Sequence, residues 1–94
     1  MYLTIHERKI RNQEAAVRNL ANKYLDIEVG ISEVIKQIES EWQGAGADSQ
    51  IQKLRNTLKE ANTTRMELLN VASLLDQYCI SHRTVWEELK EVIS

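Results

Sequence analysis

The sequence predicts an all-α fold in which two long antiparallel helices form a hairpin, and the hairpin pairs with a second one into a four-helix bundle. Apolar residues recur at every seventh position over about forty residues on each side of one glycine-containing bend. The chain has no proline and no alternating apolar run bounded by turn residues. We therefore assign residues 1–94 to one helical-hairpin domain, with helices over about 3–41 and 49–92 and a turn over 42–48.

The first predicted helix has two apolar rows, the second of which lies three residues after the first. The first row is Leu3, Ile10, Val17, Tyr24, Ile31 and Ile38, and the second is Leu20, Ile27 and Val34. Together they predict a seam that packs against another helix. Gly30 lies beside this seam and lowers helix propensity by about 1 kcal/mol. The presence of glycine at this position is explained equally well by a close contact between helices and by tolerance of glycine on the surface.

The turn is predicted from Trp42, Gly44 and Gly46, because glycine favours the left-handed backbone that ends a helix. Either Asp48 or Ser49 is suited to cap the second helix.

The second predicted helix repeats the seam and adds another apolar row. The seam consists of Ile51, Leu54, Leu58, Ala61, Leu68, Ala72, Leu75, Cys79, Trp86, Leu89 and Ile93, interrupted by Arg65 and His82. The added row is Val71, Tyr78, Val85 and Val92. A two-helix seam does not need this row, so we expect these four residues to form the interface with a partner chain.

The charges favour an antiparallel hairpin. Folding about residue 45 places residue i near residue 90 minus i. Basic residues near the start then face acidic ones near the end, and acidic residues before the turn face basic ones after it. These sets are Arg8, Lys9 and Arg11 with Glu87, Glu88 and Glu91, and Glu33, Glu39 and Glu41 with Lys53, Arg55 and Lys59. Each exposed pair contributes only about 0–1 kcal/mol, so the pattern selects orientation more than it stabilises the fold.

Composition argues against several classes of function. The net charge of -2 and the interleaving of Glu7 and Glu14 with the N-terminal basic residues argue against nucleic-acid binding. No apolar run predicts a membrane span or a secretory signal peptide. No catalytic constellation or phosphate-binding loop is recognisable, so we expect no enzyme activity and no cofactor.

A tripeptide of Trp, any residue and Gly at the bend of a helical hairpin resembles the WXG family, the small ESAT-like proteins of type VII secretion systems. The resemblance covers the whole chain as architecture and covers Trp42 and Gly44 as residues. It implies a homodimer, or a heterodimer with a sister protein or with the helical N-terminal region of a larger secreted toxin. It also implies recognition of Trp42 and Gly44 by the secretion ATPase, and export from the bacterial cytoplasm by a non-Sec route. A purely structural role for Trp42, packing over the hairpin end, is compatible with this.

The chain departs from the family at the export signal, in which Tyr is followed four residues later by Asp or Glu in a tail after the second helix. Tyr78 is followed by His82, and Tyr24 with Glu28 lies in the first helix. The departure implies that a partner chain carries the signal, or that this protein helps a larger toxin. Other possibilities are a cytosolic coiled-coil adaptor or structural bundle, and a needle or chaperone subunit of another secretion system.

Two groups of polar residues deserve a chemical interpretation. Asp76, Cys79 and His82 are spaced three apart on one helix, but we interpret them as a buried cysteine with polar neighbours and expect no metal site. His6 and His82 approach each other if the hairpin forms, which is compatible with a pH-sensitive contact.

Overall fold

The computed structural model describes residues 2–42 and 44–93, and among these the side chains of residues 5–42 and 44–92. The described residues form helix α1, Tyr2–Glu41, and helix α2, Ala45–Ile93, which pack against each other along their lengths. The Cα trace measures 75 × 15 × 14 Å, as expected for a straight hairpin whose longer helix has 49 residues. The predicted all-α hairpin is confirmed.

The seam on α1 differs from the prediction in its second row. The predicted first row is covered by α2 over its described side chains: Ile10 is buried, and Val17, Tyr24, Ile31 and Ile38 are half-buried. The other covered row lies four residues after the first, at Glu14, Ala21, Glu28 and Ile35. Leu20, Ile27 and Val34 are exposed, so their assignment to this seam was wrong. The side chain of Leu3 lies outside the described ones.

Small side chains explain why the second row is offset by four residues. Ala21 on α1 and Ala72 on α2 are both almost completely buried, and their positions sum to 93. The ion pair between Glu28 and Arg65 has the same sum, so the two alanines lie at one level of the hairpin. Small side chains at both positions fit between closely packed helices, where a larger side chain would need more space.

The seam on α2 agrees with the prediction as far as Cys79. Ala61, Ala72 and Cys79 are buried, and Ile51, Leu54, Leu58, Leu68 and Leu75 are half-buried. Trp86 and Leu89 are exposed, contrary to the prediction, and the side chain of Ile93 lies outside the described ones. The unequal lengths of the two helices explain why Trp86 and Leu89 are exposed. Helix α1 has 40 residues and α2 has 49, and Glu7 already pairs with Arg83, so the end of α2 extends past the start of α1.

The turn is shorter than predicted. Helix α2 begins at Ala45 instead of about residue 49, and the backbone N–H of Asp48 donates to the carbonyl of Gly44 at 3.2 Å. This is the first bond of the helix, so Gly44 takes the capping position and neither Asp48 nor Ser49 does. Gly44 has φ of 105°, and no other residue described has a positive φ. Gly46 lies within α2 and does not adopt the left-handed backbone that the sequence suggested for it.

No helix in the described part of the chain combines the length and the apolar character needed to cross a membrane.

Candidate interaction surface

Trp42 stands at the closed end of the hairpin with its side chain in solvent. Its backbone N–H donates to the carbonyl of Ile38 at 2.8 Å, which continues the hydrogen bonding of α1 by one residue. Gly44 then turns the chain, and the Trp42 side chain remains 55% exposed. Less than half of the Trp42 surface is therefore covered, so packing over the hairpin end accounts for only part of this side chain. An exposed indole at a defined turn is available for contact with another molecule.

Ion pairs between the helices lie on one side of the hairpin, which we call the ion-paired side. It is marked by the bonds of Glu7 with Arg83, Arg11 with Asp76, Glu28 with Arg65, and Glu39 with Arg55. The positions of each pair sum to between 87 and 94, close to the predicted 90. Of the predicted charge pairs, Glu39 with Arg55 forms at 2.9 Å, whereas Arg11 bonds Asp76 in place of a C-terminal glutamate.

Arg11 links this side to a small network on α1. It donates to the carboxylates of both Asp76 and Glu14, and these bonds raise the pKa of Arg11 further above its ordinary value. Glu14 also accepts from Arg18 at 3.0 Å. Arg11 and Arg18 together hold the pKa of the Glu14 carboxyl below its ordinary value. The raised pKa of Arg11 and the lowered pKa of Glu14 both favour the charged form at neutral pH, so removing water from this part of the ion-paired side is unfavourable.

Glu28 is the buried charged residue of the covered α1 row, and the sequence did not identify it as part of the seam. It is only 8% exposed, and its two carboxylate oxygens accept from Arg65 at 2.5 Å and from Asn62 at 2.8 Å. These donors lower the pKa of the Glu28 carboxyl. A buried carboxylate is tolerated only when it is paired in this way. Arg65, which interrupts the predicted seam on α2, is the residue that makes Glu28 acceptable on α1.

The opposite side of the hairpin is open and apolar. The exposed row of α1, Leu20, Ile27 and Val34, lies on the flank of the seam away from the ion-paired side. On α2 the corresponding flank has Val71, Tyr78 and Val85, all exposed. Contact between His6 and Tyr78 shows that these two flanks are neighbours. We call the surface made by the following residues the apolar side: Leu20, Ile27, Val34, Val71, Tyr78 and Val85.

The predicted partner interface is thus left uncovered by α1. Val71, Tyr78 and Val85 lie on the apolar side, and Val92 continues it along the end of α2 with 83% of its surface exposed. The sequence did not assign Leu20, Ile27 and Val34 to this surface because they also fit an internal seam. Leu25, Val29 and Met66 are also exposed but lie outside the apolar side, so exposed apolar residues are not confined to that side.

A cluster of imidazole and phenol rings lies at the end of the seam that is away from the Gly44 turn. The Nε2 atom of His6 lies 3.4 Å from the hydroxyl of Tyr78, and the rings of Tyr78 and His82 are 4.2 Å apart. His6 and His82 approach to 6.0 Å between ring centroids, as the hairpin register predicts. These rings and Glu7, Ile10 and Cys79 enclose a cavity of about 10 Å³, too small for a ligand.

The three residues considered as metal ligands have other environments. Asp76 accepts from Arg11, Cys79 is buried, and His82 packs against Tyr78. Among the described residues no group of three His, Cys, Asp or Glu is placed to hold a metal ion. The described side chains therefore offer surfaces for contact with another macromolecule.

Comparisons with known proteins find no matching family model, no matching curated protein and no matching solved structure.

Proposed function

We propose that this chain is a WXG-type protein of a bacterial type VII secretion system, exported as a substrate or acting as the targeting partner of a secreted toxin. It acts by pairing with another helical chain and by recognition, without chemical catalysis. The observation that carries the proposal is the exposed Trp42 at the Gly44 turn of an antiparallel hairpin. A hairpin of this kind needs no exposed tryptophan for its own fold.

The uncovered apolar side supports the pairing part of the proposal. A hairpin of two helices buries one stripe on each helix, and small proteins of this shape are marginal in stability. Exposed leucine, isoleucine, valine and tyrosine residues along one side are typical of a surface that another chain covers. The partner is a second copy, a sister protein or the helical N-terminal region of a toxin, and the secretion ATPase recognises the assembled pair.

The test compares Trp42→Ala with wild type in a bacterium that has a type VII secretion system. The exported fraction is measured in culture medium, and folding is measured by circular dichroism on the purified chain. We expect export to fall by at least about tenfold while helicity and thermal midpoint stay the same, because the exposed indole contributes little to packing. Trp86→Ala, which changes the other tryptophan, is the matched control for loss of an exposed indole.

The alternative is a cytosolic coiled-coil adaptor or structural bundle without an export role. It is favoured by the apolar residues outside the apolar side, such as Leu25 and Met66, which suit contact with more than one helix. The secretion proposal is contradicted if the wild-type chain stays inside the cells, or if Trp42→Ala is exported as well as wild type. Either result would favour the adaptor or structural bundle.

A further inference from the structure

We propose that a shallow pocket at the end of the hairpin away from the Gly44 turn binds a doubly charged phosphate group, carried by inorganic phosphate or by a phosphate monoester. The juxtaposition that carries this inference is the meeting of Arg8 and Arg11 of α1 with Arg83 of α2 around one open space. The pocket lies on the ion-paired side and uses neither Trp42 nor the apolar side, so the inference is independent of the proposed role in secretion.

The pocket has a size and a charge that suit a small anion. Its volume is about 290 Å³, close to the lower end of the range of about 300–1,000 Å³ that small-molecule sites have. Its lining has three arginines and the carboxylate of Glu7, which are three positive side chains and one negative, a net charge of +2. The whole chain has a net charge of -2, so the pocket is a local positive excess. A phosphate dianion matches that excess.

The carboxylates next to the lining reduce this positive charge but do not cancel it. Asp76 and Glu14 both accept from Arg11, and Glu14 also accepts from Arg18. With Glu7 included, three carboxylates stand against four arginines, which are Arg8, Arg11, Arg18 and Arg83. Because Glu7 and Glu14 interrupt the basic residues, no continuous strip follows that could track a nucleic-acid backbone. The site therefore suits one phosphate group better than a polyanion.

The two helices hold the arginines near each other before a ligand arrives. Arg8 and Arg11 are three residues apart and are therefore neighbours on one face of α1. Glu7 bonds Arg83 of α2. Arg11 bonds Asp76, which lies seven residues before Arg83 and so on the same flank of α2. These ion pairs restrict the two guanidiniums, which lowers the conformational entropy lost when a ligand binds.

The same ion pairs leave hydrogen-bond donors for a ligand. Arg11 contacts both of its carboxylate partners through its Nη1 atom, and Arg83 contacts Glu7 through its Nη2 atom. A guanidinium has five N–H donors in one plane, so each of these side chains retains donors on its other nitrogen atoms. Arg8 is exposed and adds a third guanidinium to the lining. A phosphate group has three acceptor oxygens for three guanidiniums, whereas a carboxylate has two.

Glu7 allows a test in which binding becomes tighter. Its carboxylate lines the pocket and bonds Arg83, so it repels an anion and competes with it for the same guanidinium. Glu7→Gln keeps the size of the side chain and removes its charge. Phosphate should therefore bind Glu7→Gln more tightly than wild type, whereas removal of an arginine from the lining should weaken binding.

Isothermal titration calorimetry on the purified chain measures both effects, and circular dichroism checks the helicity of each variant. Inorganic phosphate and glycerol phosphate are titrated separately at low salt and about pH 8, where a phosphate monoester has nearly two negative charges. We expect Arg8→Gln to bind at least about fivefold more weakly than wild type, because a charge-assisted hydrogen bond is lost, and Glu7→Gln at least about twofold more tightly, because a repulsion is removed. Arg55→Gln is the matched control. It removes the same charge from another ion pair of the ion-paired side, outside the pocket, and should bind as wild type does.

Binding of either probe with this order of affinities supports the site, and the probe that binds more tightly shows whether the phosphate is free or esterified. No binding of either probe at millimolar concentration overturns the site. Equal weakening by Arg8→Gln and Arg55→Gln also overturns it, because charge attraction without a site would explain that result, and acetate bound as tightly as phosphate overturns the preference for a dianion. If Arg8→Gln loses helicity, Glu7→Gln decides, and binding no tighter than that of wild type overturns the site. None of these outcomes affects the export test with Trp42→Ala.

Discussion

Replacing one isoleucine of α1 with alanine should have very different effects depending on which row it belongs to. Ile35 lies in the seam and is 6% exposed, whereas Ile27 lies on the apolar side and is 48% exposed. Truncation of a buried isoleucine to alanine typically lowers the free energy of unfolding by about 2–5 kcal/mol, because a cavity remains. We expect Ile35→Ala to fall in this range.

The expected cost of Ile27→Ala in the isolated hairpin is much smaller. Full burial of an isoleucine side chain stabilises a protein by about 1.5–3 kcal/mol, and Ile27 is only about half covered. The loss is then roughly 1 kcal/mol, and it is partly offset by the higher helix propensity of alanine, worth a few tenths of a kcal/mol. For a chain of this size, each 1 kcal/mol corresponds to about 4–8 °C in the thermal midpoint.

Thermal unfolding followed by circular dichroism separates the two cases. At the lowest usable concentration, Ile35→Ala should lower the midpoint by at least about 8 °C and Ile27→Ala by less than that. If a second copy covers the apolar side at high concentration, the difference between the two midpoints should narrow, because Ile27→Ala then also removes a contact across the pair. Equal losses at low concentration would mean that Ile27 belongs to the internal seam, and the four-residue offset of the second row would be refuted.

Three further results are expected. Arg65 and Asn62 lower the pKa of Glu28 from 4.5, so the stabilisation by Glu28 is present above pH 4.5 and is lost as the pH falls through the pKa of the folded state. The thermal midpoint of Glu28→Gln should therefore fall less on acidification than that of wild type. An identical fall in both proteins would contradict the pairing of Glu28 with Arg65. Gly30→Ala should raise the free energy of unfolding of the monomer by about 1 kcal/mol in urea titrations, since a Cβ there meets nothing within 4 Å; a loss in the monomer would refute this. Gly44→Ala should lower it by about 1–2 kcal/mol because φ is 105°, and an unchanged value would show that the turn can relax.

Much of the fold follows from the sequence because the relevant signals are local. The seven-residue recurrence predicts the helices, and the glycines near Trp42 predict where the chain turns. The position of the capping residue could not be predicted, because Gly44, Asp48 and Ser49 are all acceptable caps and only the backbone geometry selects Gly44. The pairing of Glu39 with Arg55 was predictable because it depends only on the register of the hairpin.

The second row of the α1 seam could not be predicted from residue type. Leu20, Ile27 and Val34 are more apolar than Ala21 and Glu28, yet the latter are buried. Two facts about α2 decide the outcome: Ala72 lets the helices approach at Ala21, and Arg65 satisfies the charge of Glu28. Both are relations between residues that are far apart in the chain, which periodicity along one helix does not contain.

This choice of seam also determines what the molecule presents to its surroundings. Had Leu20, Ile27 and Val34 faced α2, the hairpin would have used these three apolar side chains internally and exposed Glu28. Instead, the second row of the seam contains Ala21, the paired carboxylate of Glu28 and Ile35, and the larger side chains of Leu20, Ile27 and Val34 remain outside. An arrangement that places more apolar surface outside than the internal packing requires is unfavourable for a solitary hairpin. It would become favourable if another chain covered the apolar side, as we propose, and the charged groups on the ion-paired side would then disfavour association through that side.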